Sequence, residues 1–248
     1  MKRSTALANN GVKYGVVALF WLLVWQLIYM LVKKDYIVPS PWNTAKALGE
    51  MILAADFYVN TAITVSRVLW SMALSFAAGG VSAVAAYFFP LVRAALGGIA
   101  AAFKAMPVMS VILFAILCLA SGMVPIFAGF LMCYPVVYTN LLSGLDSMNP
   151  EHLELCKVYH INFSNRLKSV YLPSISPYLK AALSLIAGLC WKAVVAAEVL
   201  ASPVHSMGYQ LLTAKIYLEA DMLFAWTIAI IFLSLLFEKG VKEALKWL

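Results

Sequence analysis

"LELCKVYHINFSNRLKSVYLP", Leu153 to Pro173, carries charge, amides and hydroxyls between two long apolar stretches. It reads as two short helices. Asn149 can cap a helix whose first position is Pro150, where a missing N–H costs nothing. Leu155, Val158 and Tyr159 then share one face. Asn162 or Ser164 can start a second helix with Phe163, Leu167, Val170 and Tyr171 at helical spacing, and Pro173 is expected to stop it. Ser176 and Pro177 repeat the cap-then-proline arrangement at the start of the next apolar run. The apolar faces of both helices need a cover, either the protein's own helix ends or a partner.

The chain around this insert belongs in a membrane. It is 64% hydrophobic and 12% charged, with a mean hydropathy of +0.89, whereas soluble chains are about 25% charged. A bilayer crossing takes about 20 apolar residues. Six candidate spans follow: Gly15 to Val32 (14–33 with its flanks), Val68 to Phe89, Ala101 to Ser121, Met123 to Ser143, Tyr178 to Leu200 and Met222 to Phe237. They make one transmembrane domain over 1–248, with the polar insert and its flanks, 146–176, as a loop. The basic start resembles a signal peptide, but no small-residue cleavage site follows it, so the first run is expected to stay as a span.

The net charge of +7 is a topology signal here. With the N-terminus inside, twelve Lys and Arg fall on cytoplasmic segments and five (Lys33, Lys34, Lys46, Arg67, Lys215) on outer ones, the bias that sets orientation. Both termini and the insert are then cytoplasmic. Between the first two spans, "VPSP" sets an extended start, and Ala45 to Leu53 reads as a short amphipathic helix on the outer surface.

Ser71, Ser75, Gly79 and Ala83 recur every fourth residue, a row along which helices can approach closely. Pro125 and Pro135 are expected to kink the fourth span or free carbonyls. Cys118, Cys133, Cys156 and Cys190 show no CxxC or paired spacing, which supports neither a disulfide framework nor a metal site. His152, His160 and His205 fall in loops and assemble no catalytic constellation.

Lys192 lies mid-span, where an ionisable group is costly and by default functional. Glu198 lies about 9 Å further along the helix and roughly 120° round it, so the two are not natural partners. Glu198 shares a stripe with Trp191 and Ser184 that could face a dimer axis. Trp191, Lys192 and Glu198 are candidates for a translocation path or gate, with packing as the alternative. A lysine in the path favours anions and Glu198 opposes it, so the pair names no substrate.

The insert resembles the cytoplasmic loop of ABC importer permeases, whose pattern is E-A-A, three residues, Gly, nine residues, then Ile-x-Leu-Pro. Glu154, Leu155 and Cys156 stand at the E-A-A positions, His160 at the glycine, and Val170, Leu172 and Pro173 at Ile, Leu and Pro. "VPSPWNTAKALGEM", "TVSRVLWSMALSFAAGG", "WKAVVAAEVLASP" and "SMGYQLLTAKIYLEADMLFAW" are similar to segments of the nitrate, sulfonate and taurine branch, which keeps a Trp and an Ala-Glu pair where Trp191 and Glu198 stand. The resemblance implies an all-α type I permease fold and coupling helices that seat on a cytoplasmic ATPase. Glu154, Lys157, Arg166 and Lys168 would lie at that interface. It also implies an extracytoplasmic substrate-binding protein on the outer loops.

The chain has no G-x-x-x-x-G-K-[ST] phosphate loop, so ATP hydrolysis is expected from a separate subunit that holds ATP-Mg, with no cofactor in this chain. Six spans enclose a path poorly, and a homodimer is the simpler expectation. His160 at the glycine position leaves two options: histidine takes the positive-φ turn, or Asn162 does and the second helix shifts. An ion-coupled transporter predicts an internal repeat and several buried acids, and a membrane enzyme predicts a metal or nucleophile cluster. Neither pattern is found.

Overall fold

A computed structural model describes residues 2–247, and side chains from Gly15 onward except those of Leu153, Lys157 and Trp247. The described residues are helical with no strand. Among the described residues five helices are long and apolar enough to cross a membrane, or six if one bent pair counts as a span. The helices are α1 (Lys2–Val32), α2 (Pro41–Leu53), α3 (Ala55–Phe88), α4 (Pro90–Ala105), α5 (Val108–Cys118), α6 (Val124–Asp146), α7 (Pro150–Val158), α8 (Phe163–Arg166), α9 (Leu172–Ala201), α10 (Met207–Ile216) and α11 (Ala220–Ala244).

The chain forms two compact units. In the first, Met1–Tyr58 with Gln210–Ile230, α1 exposes Trp21, Leu23 and Leu27 as a lipid-facing helix does. Trp25 Nε1 donates to the Pro39 carbonyl at 3.1 Å and its ring stacks on Phe224. The short helix expected over Ala45 to Leu53 is present and starts earlier, at Pro41. Ser40 Oγ caps it by accepting from the Asn43 N–H at 3.1 Å, and Thr44, Ala47 and Met51 form its buried face.

The second unit, Val59–Tyr209 with Ile231–Leu248, is centred on α6 against α9. The small-residue row of α3 is buried and packs on α6. A Cβ on Gly79 would lie 2.9 Å from the Val137 side chain, and one on Gly129 would lie 2.7 Å from Ser71 Oγ. Ser71 Oγ donates to the Arg67 and Ile126 carbonyls, and Ser75 Oγ to the Ser71 and Phe130 carbonyls. The hydroxyls thus bond across the same contact that their small size permits.

Several sequence expectations are corrected. The second span begins at Ala55, so Arg67 is a buried helical residue and not an outer-loop charge. The third is broken: α4 and α5 meet at 102°. Met106, held extended (ψ 131) by the proline that follows it, breaks the helix between them. Pro173 does not stop the loop's second helix, and Pro177 does not start the next. Helix runs from Phe163 to Ala201. Leu167–Tyr171 forms a wide turn closed by the Leu172 N–H on the Leu167 carbonyl. Pro173 then falls in the first turn of α9, where its missing N–H costs little, and Pro177 removes one ladder bond. Pro125 likewise sits at the start of α6, while Pro135 lies inside it.

Candidate functional site

The polar loop folds as two helices joined by a tight corner. Asn149 Oδ1 accepts from the Glu151 N–H at 2.9 Å and Asn162 Oδ1 from the Asn165 N–H at 3.0 Å, so both asparagines cap as expected. Between them His160 has φ 49, and the Ile161 N–H reaches back to the Cys156 carbonyl at 3.0 Å. That is the Schellman closure, in which a glycine usually holds the left-handed position. His160 therefore takes the turn itself, and Asn162 remains a cap. Arg166 Nη2 donates to the Ile161 carbonyl at 3.4 Å and ties the second helix to the corner.

The loop's apolar faces are open. Leu155, Val158, Tyr159, Phe163, Leu167 and Leu172 are all exposed, while Cys156 is buried and anchors α7 from within. Glu154, His160, Lys168 and Pro173 are exposed beside them and Arg166 is half-buried. The side chain of Lys157 lies outside the described residues. Six large apolar side chains bare on a charged, tightly capped element make a surface that excludes water only when something seats on it.

A second arrangement lies in the interior. Glu198, with no exposure at all, accepts from Arg67 Nη1 at 2.7 Å, Thr64 Oγ1 at 2.9 Å and the Gly208 N–H at 3.2 Å. Thr64 Oγ1 in turn accepts from the Met207 N–H at 3.1 Å. One carboxylate thus joins α3 and α9 to the first turn of α10, whose free N–H groups favour a negative charge. Gly208 permits it: a Cβ there would collide with Glu198 Cβ and lie 2.7 Å from the Val199 nitrogen. The linking segment carries left-handed backbone at two non-glycine residues, Ser202 (φ 49) and His205 (φ 56).

Of the three path candidates, the structure buries two. Trp191 (1% exposed) packs on Phe237 with ring centres 5.7 Å apart. Of the stripe that joins Ser184, Trp191 and Glu198, the last two are buried within the chain and Ser184 is half-buried. Lys192 alone is exposed. It lines a cavity of about 440 Å³ with Ser184, Gly188, Glu238 and Lys242 among its walls. Among the described residues no cluster of His, Cys, Asp or Glu is placed to hold a metal ion.

Sequence reading missed Arg67 and Thr64 as partners of Glu198. Thr64, Arg67, Ser71 and Ser75 share one helix face, and that spacing was the available signal. Arg67 interrupts the apolar run and so masks that face.

A family model described as "Binding-protein-dependent transport system inner membrane component" matches residues 75–238. The chain belongs to that family. As such a permease it is the multi-pass inner-membrane component of an ABC transport system, and the family's dependence on a binding protein implies ATPase and substrate-binding subunits as partners.

This permease is 26% identical over 216 residues to a probable ABC transporter permease of Haemophilus influenzae, covering 86% of this chain and 87% of that one. It is 22% identical over 232 residues to the putative aliphatic sulfonates transport permease SsuC of Bacillus subtilis, covering 91% and 84%. It is 27% identical over 84 residues to the bicarbonate transport system permease CmpB of Synechococcus elongatus, covering 34% and 30%.

Proposed function

We propose that this permease pairs with a second copy of itself to form the path for a small solute of the nitrate, sulfonate, taurine or vitamin-precursor kind. An extracytoplasmic binding protein delivers the solute, and a cytoplasmic ATPase dimer that holds ATP-Mg drives import. Both termini and the 146–176 loop lie on the cytoplasmic side.

The observation that carries this reading is the loop itself. Its corner is closed by caps and a Schellman turn, six of its large apolar residues between Leu155 and Leu172 are bare, and it continues without interruption into α9. A rigid element of this kind passes a push on its exposed face into the membrane-spanning helix behind it. Glu154, Lys157, Arg166 and Lys168 supply charge that can pair across the interface, and Leu155 and Tyr159 supply the apolar centre. The substrates named for SsuC and CmpB support a small solute.

The test is ATP-driven uptake by the full complex in proteoliposomes, with Glu154→Lys and Leu155→Asp in the loop. The reading expects both variants to lose ATPase association and uptake together. Normal association and uptake in both would overturn it.

A further inference from the structure

The face of α9 that carries Lys192 places Lys180, Ser184 and Lys192 among the apolar residues Ala181, Leu185 and Leu189. Lys180, Ser184, Gly188 and Lys192 recur every fourth residue, so they form one stripe about 18 Å long. Opposite them α11 and the turn that follows it present Glu238, Lys242 and Lys246, again four apart. The two stripes line two adjoining cavities. One, of about 400 Å³, is bounded by Lys180, Ser184, Lys242 and Lys246. The other is the Lys192 cavity, of about 440 Å³, and Ser184 and Lys242 belong to both.

Cations outnumber acids in this groove. Four lysines face one lining carboxylate, Glu238, whose Oε2 lies 3.7 Å from Lys242 Nζ and whose head lies directly against Gly188. Glu243, outside the lining, holds Lys246 at 2.7 Å. Lys180 and Lys192 have no acid partner in an ion pair among the described residues. Glu198, the acid that opposed Lys192 in the linear sequence, is bound to Arg67 in the interior and does not offset it.

We propose that this groove takes the oxyanion of the imported solute, so that the substrate is a small anion and not a neutral or cationic vitamin precursor. The inference rests on the permease reading for its claim that the oxyanion is cargo. Lysines on a low-dielectric wall concentrate anions locally. Ser184 adds a hydroxyl donor, and the bare backbone at Gly188 lets Glu238 approach. That carboxylate keeps binding weak, and a site that must release its ion into the next compartment needs weak binding. A phospholipid phosphate has the same chemistry, but Glu238 makes the groove a poor permanent lipid site.

The experiment places a reporter thiol, Ser184→Cys, in a chain carrying Cys118→Ser, because Cys118 is exposed while the other three cysteines are buried. Leu185→Cys, on the same wall, is the second reporter in case the first fails to assemble. The full complex in native membranes is treated with an anionic reagent, 2-sulfonatoethyl methanethiosulfonate, and a cationic one, 2-(trimethylammonio)ethyl methanethiosulfonate. Each rate is normalised to that of a free thiol, which cancels any change in the reporter's own acidity.

The expected result is an anion-to-cation ratio of about tenfold or more, falling towards one when Lys192→Met and Lys242→Met are added and retained with Lys192→Arg. A ratio near one, or one that neutralisation leaves unchanged, overturns the proposal. So does protection from both reagents, the outcome for a groove filled by lipid. Failure of the permease reading is seen separately, as a chain that purifies without an ATPase whatever the labelling ratio.

Discussion

Arg67 Nη1 lies 2.7 Å from Glu198 Oε1, across 131 residues of sequence and with the carboxylate wholly shut from solvent. The pair ties the N-terminal half of α3 to the last turns of α9, and through Gly208 and Thr64 it also fixes the start of α10. A buried pair of this kind adds little over a well-packed apolar substitute, yet removing one partner is costly because the other charge is stranded.

Arg67→Ala is therefore expected to destabilise the purified protein by about 3–5 kcal/mol. Arg67→Met with Glu198→Leu should recover a large part of that loss. The measurement is a double-mutant cycle from denaturation in mild detergent, with substantial coupling between the two sites as the expected outcome. Additive losses would mean that the two side chains act independently.

Gly208→Ala tests the close approach at the same corner. Its Cβ would meet Glu198 Cβ and the backbone at Val199 and Val195, all of which are fixed within a helix. Overpacking of this sort costs about 1–3 kcal/mol. A lowered melting temperature is expected, together with faster proteolysis in the 202–206 segment.

At the loop corner His160 holds a left-handed backbone, which is strained for any residue with a Cβ. His160→Gly is expected to raise loop stability by about 1 kcal/mol with ATPase binding unchanged. His160→Val, β-branched, should lower both. Hydrogen exchange at Ile161, whose N–H closes the turn, reports the difference directly.

Gly129 faces Ser71 and Val194 where α6 meets α3 and α9. Gly129→Val is expected to separate these helices and reduce the yield of folded protein, whereas Gly97→Val, at a glycine with open space around it, should not. Size-exclusion chromatography of the two variants side by side provides the comparison.

Much of this architecture is legible in the sequence because the bilayer leaves few options. Apolar runs gave the crossings, the Ser71–Ala83 row gave a packing face, and Asn149 and Asn162 announced their caps. Prolines are weaker breaks than their sequence positions suggest. Pro173 and Pro177 look like stops, yet a wide turn before the first and one lost ladder bond at the second let a single helix continue. The interior charges were legible only in part. Lys192 and Glu198 stand out on one helix, but the partner of Glu198 comes from a segment 131 residues away, and the groove requires the register of α9 against α11. Neither is a local property of the chain.

Purification of the tagged protein from its native membrane in mild detergent, with mass spectrometry of its companions, tests whether this chain works as the membrane subunit of an ATP-driven importer. A stoichiometric ABC ATPase that is lost in Glu154→Lys is the expected result. A clean oligomer with no ATPase, stable across detergents, would contradict the account and leave the exposed faces of α7 and α8 without a partner.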